Sequence, residues 1–232
     1  MIYVTADIHG EYEKFVRLLD EIGFSDDDEM YILGDIIDRG PEPIKLLRHI
    51  MAMPNVYLLL GNHEAVGAAV LGKLAVEITA ANADTHIDED TMLDVIEWQQ
   101  NGGEVTMRQF AALDMDERED VLDFFEEFSL VEVVDVGEKT FVLVHAGLNN
   151  FSEKKKFGDY TLAELTQLRP DYEKQYFADP DVYIVSGHTP TMAVSGKWEI
   201  YRSHNNILID CGAAFGGRLA CLCLDTDEEF YV

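Results

Sequence analysis

Three times in the first 76 residues a short apolar run closes on polar residues and a helical pattern follows. The segments are MIYVTAD then EYEKFVRLLDEIG, EMYILGD then PIKLLRHIM, and NVYLLLGN then HEAVGAAVLGKLAV. Apolar runs of this length, bounded by turn signals, read as buried strands. In the first helical stretch Phe15, Leu18, Leu19 and Ile22 recur at helical spacing, and Gly23 suits the C-terminal cap. Pro41 and Pro43 suit the first turn of the second. Such strand–helix alternation predicts parallel strand pairing.

The later chain changes character. From about Asn82 to Phe128 it is polar and helical. Ile87–Gln100 and Glu117–Phe128 read as amphipathic helices, separated by the breaker Asn101-Gly102-Gly103. VEVVDV and FVLVHAG, on either side of GEKT, read as a hairpin, and DVYIVSGH, WEIY, NNILIDCG, RLACLCLD and EFYV follow as short strands. The acidic run Ser25–Glu29 reads as a solvated loop. With 232 residues, 47% of them hydrophobic, the chain can bury one full core. The expectation is one domain over residues 1–232, with a helical insertion at about 67–129.

Composition restricts the partners. The chain carries 17 basic and 45 acidic side chains, a formal charge of −28. Such a surface repels phosphate backbones and anionic lipid, which predicts no nucleic-acid and no membrane partner. A bound divalent cation could still make one pocket locally positive. No apolar run reaches the length of a membrane span and no secretory leader pattern opens the chain, so a cytoplasmic protein is expected. Cys211, Cys221 and Cys223 are too few and too clustered for a disulfide framework and read as buried free thiols.

In open α/β sheets ligands sit beyond the carboxyl ends of the strands. The polar residues that fall there are Asp7 and His9 in ADIHG, Asp35, Asp38 and Arg39 in GDIIDRG, Asn62 and His63 in GNHE, His145 in VLVHAG and His188 in VSGHTP. Each has an ordinary explanation alone. Asp7 or Asp35 could cap a helix, His145 or His188 could be a hydrogen-bonded core histidine, Arg39 a salt-bridge partner, and Asn62 a turn residue. Oxygen and imidazole ligands converging on one sheet edge are what divalent metals require. The set is too large for one metal and suits two that share a carboxylate, about 3.5–4 Å apart, an arrangement that clamps a phosphoryl group.

The motifs ADIHG, GDIIDRGP, GNHE, VHAG and GHT, in that order, resemble the calcineurin-like metallophosphoesterases. They resemble most its phosphoprotein-phosphatase branch, and by size its short bacterial and phage members. WQQNGGEVT and IDCGAAFGGRL fit as well. The resemblance implies a four-layer α/β/β/α sandwich of two mixed sheets. It implies that Asp7 and His9 bind a first metal, that Asp35 bridges both, and that Asn62, His145 and His188 complete the second. His63 is then the general acid, Asp38 its orienting partner, and Arg39 a phosphate holder. Arg169, in LTQLRPDY, is the candidate second phosphate arginine, with a plain surface arginine as its alternative. The implied cofactors are two divalent ions, Mn²⁺ first, with Fe or Zn²⁺ also suited to mixed oxygen and nitrogen ligands. The implied reaction is direct hydrolysis by a metal-bridging hydroxide. The expected substrate is a phosphoprotein, at Ser/Thr ahead of Tyr, or a small phosphoester. The alternatives are a symmetrical diadenosine tetraphosphate hydrolase using the same site, and a non-catalytic metal-binding module. Two departures stand out: Ala6 precedes Asp7, and Ala146 follows His145, where the family usually has glycine.

Overall fold

The structure, a computed structural model, describes residues 1–75 and 89–232. Val76, the last residue of the third expected helix, and the first two residues of the helix expected at Ile87–Gln100 lie outside them.

Strands β1 (Ile2–Thr5), β2 (Glu29–Ile32) and β3 (Val56–Leu58) alternate with helices α1 (Tyr12–Ile22), α2 (Pro43–Met51) and α3 (Asn62–Ala75). The two strand pairs are parallel, as the alternation predicts. Gly23 takes the left-handed conformation that closes α1, and Pro43 opens α2. Helices α4 (Glu89–Trp98), α5 (Glu104–Ala111) and α6 (Met115–Glu126) follow, and a π-helical turn at Gln99–Gly103 joins α4 to α5. The breaker interrupts the helical path as expected: Gly102, at φ 103° and ψ 8°, is not helical, and the chain kinks there between α4 and α5. Helix α6 starts two residues earlier than expected, because Asp114 and Glu117 form a reciprocal capping box at its N-terminus.

The hairpin is β4 (Val131–Val136) and β5 (Lys139–Val144), paired in register through Val136 and Lys139. Next come α7 (Leu162–Thr166), β6 (Val182–Ser186), α8 (Thr191–Ser195), β7 (Tyr201–Ser203), β8 (Asn206–Leu208), β9 (Ala220–Cys223) and β10 (Glu229–Tyr231). The strand expected at WEIY begins only at its last residue, Tyr201. The preceding backbone is diverted, with Arg218 donating twice to the Trp198 carbonyl.

Two five-stranded sheets result, in the orders β10-β9-β1-β2-β3 and β4-β5-β6-β8-β7. Each mixes parallel and antiparallel pairs, and the period-two alternation of the strands sorts their side chains into layers. Val4, Ala6, Leu222 and Leu224 from the first sheet meet Phe141, Leu143, Val185 and Ile207 from the second, forming the core between the sheets. Tyr3, Cys221 and Cys223 face the opposite way, into a core with Phe15, Leu18, Leu46 and Leu47 from α1 and α2. All three cysteines are buried and free. The outer face of the second sheet, through Val142, Val144 and Ile184, packs on Leu165 of α7 and on Tyr160 and Tyr176. Helices, sheet, sheet and a thinner outer cover make the expected α/β/β/α sandwich.

Candidate active site

β1, β2, β3, β5 and β6 release their chains at one edge of the sandwich. The backbone there turns sharply: Asp7, His9, Asp35, Asp38, Arg39 and His188 all adopt positive φ, between 48° and 73°. Such conformations cost about 1–3 kcal/mol each in non-glycine residues and persist only where the surroundings impose them. The bracing comes from the neighbouring motif loops. Asp7 N–H donates to Gly34 O at 3.1 Å, His9 N–H to Asp35 O at 2.9 Å and Gly40 N–H to His9 O at 2.9 Å. Neither Asp7 nor Asp35 caps a helix: α1 and α2 begin after Glu11 and Glu42 without side-chain caps.

Three histidines share one arrangement. His9 Nδ1 donates to Ile37 O at 2.8 Å, His145 Nδ1 to Leu33 O at 2.5 Å, and His188 Nε2 to Gln167 O at 3.0 Å. Burial holds all three rings below the ordinary histidine pKa, His9 at about 3 and His188 at about 4, so each is neutral. The second ring nitrogen of each must then carry a lone pair; that of His9 lies against the Arg39 guanidinium, while those of His145 and His188 face another acceptor. His145 Nε2 is 3.0 Å and His188 Nδ1 2.9 Å from Asn62 Oδ1. Asp35 places Oδ1 3.5 Å from His145 Nε2 and Oδ2 3.6 Å from His9 Nε2. Lone pairs converging without protons between them need a cation, and backbone carbonyls fixing the far nitrogens are what orient metal-binding histidines.

The carboxylates say the same. Burial, with the charges of Asp210 and Asp35, raises the Asp7 carboxyl well above its usual range. Burial would also raise Asp35, but the surrounding histidines and the His63 N–H outweigh it and hold this carboxyl low. Two groups of ligand atoms lie within 4.8 Å of one another: His9, Asp35 and His63, and Asp35, His145 and His188. Asp35 belongs to both. Asp7 falls outside these groups, its two oxygens accepting the His188 N–H at 3.0 and 2.9 Å. The donor set fits two divalent cations around Asp35.

His63, at the start of α3, is fixed from behind. Its Nδ1 donates to Asp38 Oδ2 at 2.6 Å, leaving Nε2 turned to the cleft. Burial disfavours the charged ring, but the Asp35 charge and the Asp38 bond outweigh it, and the His63 pKa lies above its ordinary value. Asp38 is fully buried, and two residues without an assigned role in the sequence reading complete its shell. Trp98 Nε1 donates to Oδ2 at 2.7 Å, and Thr106 Oγ1 donates to Oδ1 at 2.6 Å. Their signal was WQQNGGEVT, whose first and last residues they are. Gly102 lies between them at φ 103°, accepting the Arg39 N–H at 3.0 Å; a Cβ there would stand 2.7 Å from Arg39 Cγ.

Two further carboxylates were missed. Glu64 accepts from the N–H groups of Asp35 and Ile36 at 2.7 Å and of Ile37 and Gly61 at 3.1 Å, tying two motif loops together. Burial and the Asp35 charge push its pKa up to about 7, against those four donors. It stands inside GNHE, so its motif was seen and its task was not. Asp210, two residues past β8, is buried beside the ligand set and accepts the Gly212 N–H at 2.9 Å. Burial pushes its pKa up to about 6.

Arg39 is exposed, and its guanidinium lies against His9 Nε2 and 2.8 Å from His63 Nε2. Arg169 is exposed too, and it lines a cleft of about 510 Å³ together with Arg39, Asn62, His63 and His188. Helix α7 ends at Thr166, three residues before Arg169. Among the described residues neither arginine makes a salt bridge, so two cationic forks face the cleft beside the histidines.

The chain is similar to several known proteins. Asymmetrical bis(5′-nucleosyl)-tetraphosphatase PrpE of Geobacillus thermodenitrificans is 28% identical across 95% of this chain and 89% of its own length. Symmetrical bis(5′-nucleosyl)-tetraphosphatase of Erwinia tasmaniensis is 33% identical, over 41% of this chain and 36% of its own. Among solved structures, a provisionally named diadenosine tetraphosphatase superimposes over 100% of this chain and 92% of its own with a TM-score of 0.69, at 18% identity. A protein serine/threonine phosphatase from Saccharomyces cerevisiae does so over 100% and 79% with a TM-score of 0.59, at 14% identity. The family model for calcineurin-like phosphoesterases matches residues 1–210, which hold every strand end described above, and this chain is a member of that family of metal-dependent phosphoesterases.

Proposed function

We propose that the protein hydrolyses dinucleoside tetraphosphates, cutting them asymmetrically into a nucleoside triphosphate and a nucleoside monophosphate. The observation that carries this reading is likeness to asymmetrical bis(5′-nucleosyl)-tetraphosphatases over 95% of the chain. The symmetrical enzyme of Erwinia tasmaniensis is alike over 41% of the chain. Phosphoprotein hydrolysis, the leading expectation from the sequence, retains a likeness in fold alone, at 14% identity.

Asp7, His9 and Asp35 would hold one divalent cation, and Asp35, Asn62, His145 and His188 the other. Bound there, the pair supplies Lewis-acid polarisation of the phosphoryl group and lowers the pKa of a water. The chain's own residues do the rest. Arg39 and Arg169 offer planar forks to the phosphate oxygens, fixing which phosphorus meets the water. As the water oxygen bonds to that phosphorus, the bond to the leaving phosphate oxygen breaks. His63 Nε2 gives that oxygen its proton, and Asp38, held by Trp98 and Thr106, keeps Nδ1–H in place and stabilises the charged ring.

The test is product analysis with Mn²⁺-loaded protein, diadenosine tetraphosphate and a phosphoserine peptide in parallel. ATP and AMP in equal amounts, formed faster than phosphate leaves the peptide, are expected. ADP as the sole product would overturn the asymmetric cut, and faster dephosphorylation of the peptide would overturn the substrate class.

A further inference from the structure

We propose that Phe215 is the platform on which a nucleobase of the substrate stacks, a base subsite beside the phosphate-binding arginine. The proposal rests on the dinucleotide reading above and adds to it a residue and a chemical class of contact. Phe215 is 53% exposed, and its ring centroid lies 4.9 Å from Arg39 Cζ. A lone exposed aromatic is ordinary on a protein surface. This one is set apart by its place and its mounting.

The ring ends a short helical turn, Ala213–Phe215, that starts three residues after the buried Asp210. The turn is tied down on several sides. Gly212 and Gly216 flank it at φ 71° and 80°, and the N–H groups of Phe215 and Gly217 both donate to Gly212 O at 2.9 Å. Asp210 Oδ1 accepts the Gly212 N–H, Lys14 Nζ reaches Ala213 O at 2.5 Å, and a Cβ on Gly212 would stand 2.2 Å from the Trp198 ring. Bonds and sterics thus hold a largely exposed apolar ring against the guanidinium of Arg39.

A π-face there suits this chain for an electrostatic reason as well. With a net charge of −28, the protein gains little from long-range attraction of a polyphosphate. Stacking on an uncharged ring adds affinity without charge, and every nucleobase offers a face for it. Arg39 covers one side of the ring, which places guanidinium, ring and base in sequence and ties the base to the phosphate that Arg39 grips.

The test is calorimetric binding to Mn²⁺-loaded protein of two ligands that resist hydrolysis: adenosine 5′-(α,β-methylene)diphosphate and base-free methylenediphosphonate. Phe215→Ala is expected to weaken the nucleotide by about 5- to 150-fold, the range reported for loss of one base–aromatic stack, and to leave methylenediphosphonate unchanged. Phe215→Tyr should retain nucleotide binding. If Phe215→Ala does not fold, Phe215→Leu, which keeps apolar bulk without a π-face, reads the same loss. Nucleotide affinity equal to wild type in the folded variant, or equal loss of both ligands, would overturn the platform. Phe215-dependent nucleotide binding with diadenosine tetraphosphate left intact would sink the tetraphosphatase reading and keep the platform.

Discussion

Asp38 accepts three side-chain bonds at once, from His63, Trp98 and Thr106. Removing the Thr106 donor leaves one carboxylate oxygen without its side-chain partner in a buried site. A hydrogen bond to a charged group contributes about 1.5–3 kcal/mol, so Thr106→Val is expected to slow turnover by roughly 10- to 150-fold, while Thr106→Ser restores it. Because the defect acts through proton donation, the loss should grow as the leaving group becomes more basic; an equal loss across a series of aryl phosphates would place Thr106 in folding alone. Asp38→Asn should be slower still with its metals retained, since an amide can satisfy Trp98, Thr106 and the His63 ring together only by changing one partner's proton.

Among the elements, α7 is where a pH dependence is expected. Its N-terminal capping box joins Thr161 and Glu164, and Glu164 also accepts from Lys155 and Asn150 at 2.8 Å. The Lys155 bond, then the Thr161 N–H, holds the Glu164 carboxyl down at about 2. A depressed carboxyl pKa gives stability that is fully present above the unfolded value of about 4.5 and is lost as pH falls toward 2. Wild type should therefore exceed Glu164→Gln in urea midpoint at pH 7, with the gap closing between about pH 4.5 and 2; a gap constant across that range would contradict the assignment. The same scale shows what was legible in the sequence. α1, α2 and the hairpin follow from local pattern, and Asp7, Asp35, Asn62, His145 and His188 follow from standing at strand ends. Trp98 and Thr106 reach Asp38 across 60 and 68 residues, and Glu64 braces loops 27 to 29 residues away. Such partnerships depend on how a π-helical turn and a helix entry are aimed, which periodicity does not encode. Likewise β7 begins where Arg218 releases the backbone near Trp198, a long-range event hidden from WEIY itself.

At the scale of the whole molecule, the chain carries 45 acidic side chains, and among them the buried carboxylates of the site, Asp7, Asp35 and Asp210, repel one another. Cations that bind the folded chain alone stabilise it by mass action, about 2.7 kcal/mol at a hundred times the dissociation constant. Chelation should lower the Tm, and Mn²⁺ should raise it again in wild type and much less in Asp35→Asn. Among the described residues no helix is long and apolar enough to cross a membrane. On the proposed function, the strand-end residues divide into those that would hold metal and one that would give up a proton. Metal content and turnover of diadenosine tetraphosphate, measured together on His63→Asn and Asp35→Asn, test it most directly. His63→Asn should retain two metals per chain and lose about 10²- to 10⁴-fold in rate, whereas Asp35→Asn should lose metal. Wild-type turnover in His63→Asn, or a full metal complement in Asp35→Asn, would show that the residues do not divide in this way.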